Sequence, residues 1–161
     1  MRYLMIICCL LTGIGTNAQL PRNGADQYEY AQQISLNVPD TLLAQRSKAF
    51  FLTPFIVHWD SIAFVEGVHT ARGHIVVRLV QGLKGFNVPV YLTLEMALTN
   101  TGYRYSIRHL EADKKDSQFV FPLEQRPAAV KASVYEQLLA RTHSYMGSVI
   151  SLLKRHMGGD L

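Results

Sequence analysis

The sequence predicts an α+β domain: an antiparallel sheet of about five strands with two helices packed on one face, in the order β-α-β-β-β-β-α. Two observations carry this. Several extended segments alternate apolar and polar residues with a period of two, so each has one buried and one wet face, the mark of an antiparallel sheet covered on a single side. Two other segments switch to helical spacing and carry apolar stripes wide enough to cover that sheet.

The first strand is Tyr28 to Val38, where Tyr28, Tyr30, Ile34, Leu36 and Val38 share one parity and Glu29, Gln33, Ser35 and Asn37 the other. Pro39-Asp40 ends it, with Asp40 suited to cap a helix. That helix runs from Thr41 to about Leu52 with Leu42, Leu43, Ala49 and Phe50 on its stripe, and Pro54 closes it. Arg46 falls inside the stripe. Either its stem lies over the core with its head in water, or it pairs with a buried acid. Ile62 to Glu66 reads as a short strand followed by a turn from Gly67 to Gly73. His74 to Gln81 alternates again, with Ile75, Val77 and Leu79 inward, and Gly82 to Gly85 is a turn.

Phe86 to Asn100 has the clearest pattern. Val88, Val90, Leu92, Leu94, Met96 and Leu98 lie on one face, and Tyr91, Thr93, Glu95, Ala97 and Thr99 on the other. Asn100-Thr101-Gly102 is a hairpin turn, and Tyr103 to Leu110 returns with Tyr103, Tyr105 and Ile107 inward. Glu111 to Gln118 reads as a charged loop, and Phe119-Val120-Phe121 as a short edge strand or an apolar flap. Pro127 suits the first turn of a helix. From Ala128 to His156 an apolar arc runs through Val134, Tyr135, Leu138, Leu139, Tyr145, Met146, Val149, Leu152 and Leu153. Lys154, Arg155 and His156 suit the negative end of its dipole, and Gly158-Gly159 stops it.

The start of the chain has a different character. Met1-Arg2-Tyr3 precedes an apolar run from Leu4 to Leu11, then small residues ending Thr16-Asn17-Ala18. This is the pattern of a secretory signal peptide, residues 1–18, cleaved after Ala18. The run is too short to span a bilayer, which takes roughly 20 apolar residues. The expectation is an exported protein of the periplasm, cell envelope or exterior, with a flexible tail over 19–27, one domain over 28–157 and no transmembrane anchor after cleavage. The two cysteines, Cys8 and Cys9, both lie in the leader, so the mature domain has no thiol, disulfide or cysteine metal ligand. Ile7 stands where lipid attachment wants a small residue. With 16 Lys and Arg against 12 Asp and Glu the chain is mildly basic, and the basic residues are dispersed rather than clustered.

No catalytic motif stands in the sequence. There is no Gly-x-Ser-x-Gly and no His-Glu-x-x-His, and His58, His69, His74, His109, His143 and His156 show no paired metal-ligand spacing. Gly82-Leu83-Lys84-Gly85 lacks the phosphate-loop spacing. Glu66 and Glu95 would serve as a carboxylate pair only if the fold brought them together. No catalytic residue, metal site or cofactor is assigned.

The most informative set is the wet face of the sheet, where Gln33, His74, Arg78, Tyr91, Thr93, Glu95, Arg104, Ser106 and Arg108 share one parity. His74, Arg78, Tyr91, Glu95, Arg104 and Arg108 are the candidate ligand-binding residues: three arginines and a histidine around one glutamate suit an anionic or sugar-like ligand, or an acidic envelope protein. The competing reading is an ordinary solvated face.

Five segments carry a family resemblance: Tyr30 to Val38 with the helix Thr41 to Phe51, Gly73-His74-Ile75, Pro89 to Met96, and Tyr103-Arg104-Tyr105-Ser106-Ile107. From Tyr28 to Leu110 the chain resembles a family of exported Bacteroidetes proteins known as domain of unknown function 4468, and the last helix fits by position. The resemblance implies the TATA-binding-protein-like fold and brings no activity with it. It does not imply nucleic-acid binding, since an exported domain does not meet promoters and one copy of the unit stands here. The functional expectation is a non-enzymatic binding or accessory module, with a homodimer through an exposed sheet edge as a candidate assembly. The alternative is a small hydrolase or other enzyme with its site on the wet face.

Overall fold

The computed structural model of the chain describes residues 20–53, 56–114 and 119–160. The leader, the proposed cleavage site and Pro54 lie outside these residues. The elements run β1 (Tyr30–Ser35), α1 (Asp40–Leu52), β2 (His58–Val65), β3 (Val68–Gln81), β4 (Lys84–Thr99), β5 (Gly102–Lys114), β6 (Phe119–Pro122) and α2 (Ala132–Gly158). All six strands form one antiparallel sheet in the order β1-β5-β4-β3-β2, with β6 joined to the far half of β5. Both helices cover one face. The expected α+β architecture is therefore present, and Phe119 to Phe121 belong to a short sixth strand at the edge.

The core is built from the inward parity of every long strand. Ile75, Val77, Leu92, Leu94, Met96 and Ile107 are fully or almost fully buried, beneath Leu43, Phe50 and Phe51 of α1 and Leu138, Met146 and Leu153 of α2. Burying one such side chain stabilises the fold by roughly 1.5–3 kcal/mol. Gly102 makes the β4–β5 turn possible: its φ is +145°, and a Cβ there would stand 2.0 Å from the Ile34 carbonyl oxygen.

Several boundaries differ from the periodicity reading, each for a physical reason. Where the sequence suggests a turn over Gly67–Gly73, only the tip at Gly67 turns, with φ +72°. Val68 to Gly73 is strand, with His69 and Ala71 facing the core. Gly73 is bare because Trp59 crosses it: a Cβ would lie 2.4 Å from the His58 carbonyl oxygen and 2.9 Å from the indole ring. In α1, Pro39 rather than Asp40 occupies the N-cap position, and Asp40 is the first helical residue, where its charge favours the helix dipole. Ala49 is exposed, and Ser47 takes the core position instead. Its hydroxyl meets Nδ1 of buried His69 at 2.7 Å, so two polar groups satisfy each other inside an apolar layer. Pro127 starts a separate turn, closed by the Val130 N–H bonding the Pro127 carbonyl, and α2 begins later, at Ala132.

The segment 20–27, expected as a mobile tail, is tied down. Leu20 is buried, Arg22 bridges Tyr28, and the Tyr28 N–H donates to Glu124 at 2.7 Å. Arg46 resolves to neither of its two expected states. Its Nη1 donates to the Met157 carbonyl at 2.7 Å, at the end of α2, where the carbonyls lack helical partners. Gly159, in the left-handed region at φ +91°, leaves room for it: a Cβ there would stand 2.3 Å from Arg46 Nη2. α1 is thereby fastened to the C-terminus of α2.

β3 and β4 outrun their neighbours. β2 pairs with β3 only up to His74, and β5 pairs with β4 only from Val90 onward. The remainder projects as a two-stranded arm. Its free edge is covered by one turn of α2: Gln137 Oε1 accepts from the Val80 N–H and Arg141 Nη1 donates to the Arg78 carbonyl, both at 2.7 Å. A strand edge is satisfied by helix side chains instead of another strand.

Candidate functional site

Two bulges interrupt the regular pairing of the sheet. On β2, Trp59 pairs with Gly73 and Ser61 with Arg72, leaving Asp60 as the extra residue. On β5, Glu111 pairs with Tyr91 and Arg108 with Thr93, so His109 and Leu110 together oppose Leu92. His109 takes φ +55°, the left-handed conformation that a bulge of this kind needs and that few non-glycine residues adopt. The second bulge resets the phase of β5, so Leu110 and Ala112 turn inward while Glu111 stays on the open face. This is why residues 111–114, expected in a loop, continue as strand.

Between the two bulges lies a groove of about 380 Å³. Asp60 and Ser61 of β2 form one wall, and His109 and Glu111 of β5 the other, with Val120 of β6 beyond them. Arg72, Gly73, Tyr91 and Thr93 line the floor on β3 and β4. The register places these residues in two adjacent rows across the sheet, Ser61-Arg72-Thr93 and His74-Tyr91-Glu111. At the Asp60 end the His74 ring stacks on His58, with centroids 5.3 Å apart, tilts against Tyr91 at 5.6 Å and reaches the Asp60 carboxylate at 3.3 Å. The groove thus offers two carboxylates, a guanidinium, an imidazole, hydroxyls and an aromatic floor. Such a mixture suits a polar uncharged or mixed-charge ligand better than a simple anion.

The sequence-based candidates separate into four places. His74 and Tyr91 stand at the groove. Glu95 and Arg108 form an ion pair at 2.8 Å in the middle of the open face, both side chains partly exposed. Arg104 lies toward the β4–β5 turn, opposite Gln33 and Ala97, and Arg78 lies out on the projecting arm beside Gly85. Of the three arginines, Arg108 meets Glu95, so the expected cluster around one glutamate does not form. Thr93 and Ser106 have the expected parity but are largely covered, being short side chains flanked by longer neighbours such as Arg72 and Arg108. Asp60, Arg72, His109 and Glu111 are missing from the sequence-based set. The signal for the two bulges was present as a slip of one residue in the apolar alternation, between Trp59 and Ile62 and between Ile107 and Leu110.

The displaced titrations that stand out belong to the covered side. Burial lowers the pKa of His69, with Lys48 adding to it, and burial also lowers that of His156. Burial pushes the Tyr103 hydroxyl up to about 12 and raises that of Tyr30, which bonds His143 at 2.8 Å. These shifts arise from packing. The Ser47–His69 contact resembles a nucleophile and its base, but the serine is fully buried and, among the described residues, no carboxylate is bonded to the imidazole. Glu66 sits beyond the end of β2 in the turn and Glu95 is held by Arg108, so they do not act as a pair. Among the described residues there is no group of three or more His, Cys, Asp or Glu side chains that could hold a metal. Among them, too, no helix is long and apolar enough to cross a membrane.

A six-stranded antiparallel sheet, two helices on one face and a grooved open face define a TATA-binding-protein-like α+β domain. No protein-family model matches the chain, and no curated protein matches it. Solved structures do. A protein of the domain-of-unknown-function-4468 family from Bacteroides ovatus superposes with a TM-score of 0.67 at 7% identity, over 89% of this chain and 92% of that one. A TBP-like protein from Parabacteroides distasonis superposes with a TM-score of 0.65 at 8% identity, over 86% of this chain and 96% of that one. At such identities the likeness is one of fold.

Proposed function

We propose that the chain is an exported, non-enzymatic binding module whose open sheet face takes a short sugar-like ligand in the groove between the two bulges. The observation that carries this is the groove itself. Two departures from regular pairing, one on each side of the sheet, open a polar recess over an aromatic floor, and one of them holds His109 in an unfavoured backbone conformation. Carboxylates on opposite walls can accept from ring hydroxyls, Arg72 can donate to them, and Tyr91 offers an apolar ring face. The leader supplies the case for export, and the absence of a catalytic motif the case for binding without turnover.

The test is titration of the purified protein with neutral and N-acetylated disaccharides, followed by backbone amide NMR. The expected result is saturable shifts at Arg72, Tyr91, His109 and Glu111, abolished by Tyr91→Ala combined with Arg72→Ala. Shifts confined to the arm or to the Glu95–Arg108 pair would refute the groove as the working surface. Appearance of monosaccharide on prolonged incubation would favour the hydrolase alternative.

A further inference from the structure

We propose that the chain pairs with a second copy of itself, antiparallel and strand to strand, through the outer edge of β2. This inference stands apart from the groove and its ligand.

β2 is the last strand on its side of the sheet, and among the described residues no strand pairs with its outer edge. A free edge presents a row of backbone donors and acceptors that another strand can complete, and proteins that must stay single blunt it with charge, proline, bulges or a covering element. Elsewhere this molecule does so. The overhanging edge of β3 is capped by Gln137 and Arg141, β1 at the opposite edge exposes Gln32 and Gln33, and β6 is four residues long. The first half of β2 is also blunted, by the bulge and carboxylate at Asp60.

The second half is not. From Ser61 to Val65 the register with β3 runs unbroken, and the segment Ser61-Ile62-Ala63-Phe64-Val65 contains no charge and no proline. It is also greasy where it meets solvent. Val65 is 66% exposed and Phe64 39%, and Val68, opposite Val65 on the adjoining strand, is 37% exposed. Lone exposed apolar side chains are ordinary, but a strip of them along an unprotected edge is what a strand partner would cover.

The segment itself favours a second copy over a different protein. Its pattern is symmetric about Ala63: Ile62 and Phe64 share the helix-covered parity, and Ser61 and Val65 share the open one. Antiparallel pairing centred on Ala63 sets each Ile62 opposite the partner's Phe64 and each Ser61 opposite the partner's Val65. Identical patches meet without register conflict, as a two-fold interface requires. A neutral segment brings no like charge to its own copy. The cation that does approach, Lys48, lies over the Phe64 ring at 5.7 Å from α1 rather than on the strand. The two sheets would become one continuous layer, with Asp60 and Ser61 of each groove close to the seam.

Light scattering after size exclusion, run on the purified protein from low to high micromolar concentration, should show the mass rising from one chain to two. Ala63→Lys and Val65→Lys alter exposed side chains, so the fold should persist by circular dichroism. Ala63→Lys places like charges directly across the seam, and Val65→Lys replaces the apolar side chain that faces the partner's Ser61; each should weaken association by about tenfold or more. Hydrogen exchange on the unaltered protein gives a readout that needs no variant: the amides of 61–65 should exchange more slowly as concentration rises. A wild-type mass that stays at one chain throughout would overturn the proposal. So would a dimer whose stability ignores both substitutions and whose β2 amides exchange at a constant rate. A monomer whose β2 amides are protected only by an added extended peptide would overturn it as well, in favour of strand donation by another protein.

Discussion

The two faces of β4 differ sharply, although they alternate residue by residue along one strand. On the covered side Leu92, Leu94 and Met96 are sealed beneath the helices. On the other, Tyr91 lines a groove, Thr93 shelters between arginines and Glu95 meets Arg108 in contact with water. The covered face is where stability is concentrated. The open face can accept changes at low cost, which is the condition under which a surface is free to specialise in recognition.

That contrast can be broken by mutation. Leu94→Ala should cost about 2–5 kcal/mol in urea unfolding, since it removes a fully buried side chain and leaves a cavity. Glu95→Ala, one residue away, should cost less than about 1 kcal/mol, because a partly exposed ion pair contributes little. Similar losses at both positions would erase the distinction between the faces.

Gly73→Ala tests where the faces meet. Its new methyl group would press on the His58 carbonyl and the Trp59 ring, so β2 must shift, at an expected cost of up to about 3 kcal/mol. Because Gly73 also lines the groove, the amide shifts of Asp60 and Ser61 should move with it.

Ser47→Ala should cost about 1–2 kcal/mol by leaving a buried imidazole nitrogen without its partner. The same histidine sharpens the comparison through pH. Burial holds the folded-state pKa of His69 below its ordinary value near 6.5, and His156 is displaced in the same direction. The unfolded chain therefore takes up protons first. The stability these groups support is complete above about pH 6.5 and falls as the pH drops through that value toward the depressed one. Unfolding midpoints between pH 7.5 and 5.5 should decline, and decline less in His69→Gln.

Much of the covered face was legible in the sequence, and much less of the open one. A period of two survives any choice of strand ends, so Val88 to Met96 and Tyr103 to Ile107 announced their buried parity without help from the fold. The groove depends on two places where that period fails. At Asp60 and His109 one residue is inserted, and the apolar alternation resumes one step out of phase. In the sequence each slip looks like the limit of a strand, which is why Glu111 to Lys114 reads as loop and β2 as beginning only at Ile62. The Arg46 contact was hidden for another reason. Its acceptor is a backbone carbonyl, which every residue carries, so no side-chain pattern could point to Met157.

That contact joins positions 111 apart, and among the described residues β1 likewise finds its strand partner in β5. Early parts of the chain therefore have little to hold them until distant parts exist. A polypeptide threaded outward in sequence order would keep β1 and α1 uncommitted through most of its passage, then complete them together in one cooperative step. Under the export proposed above, such late closure would keep the chain pliable for as long as transport requires.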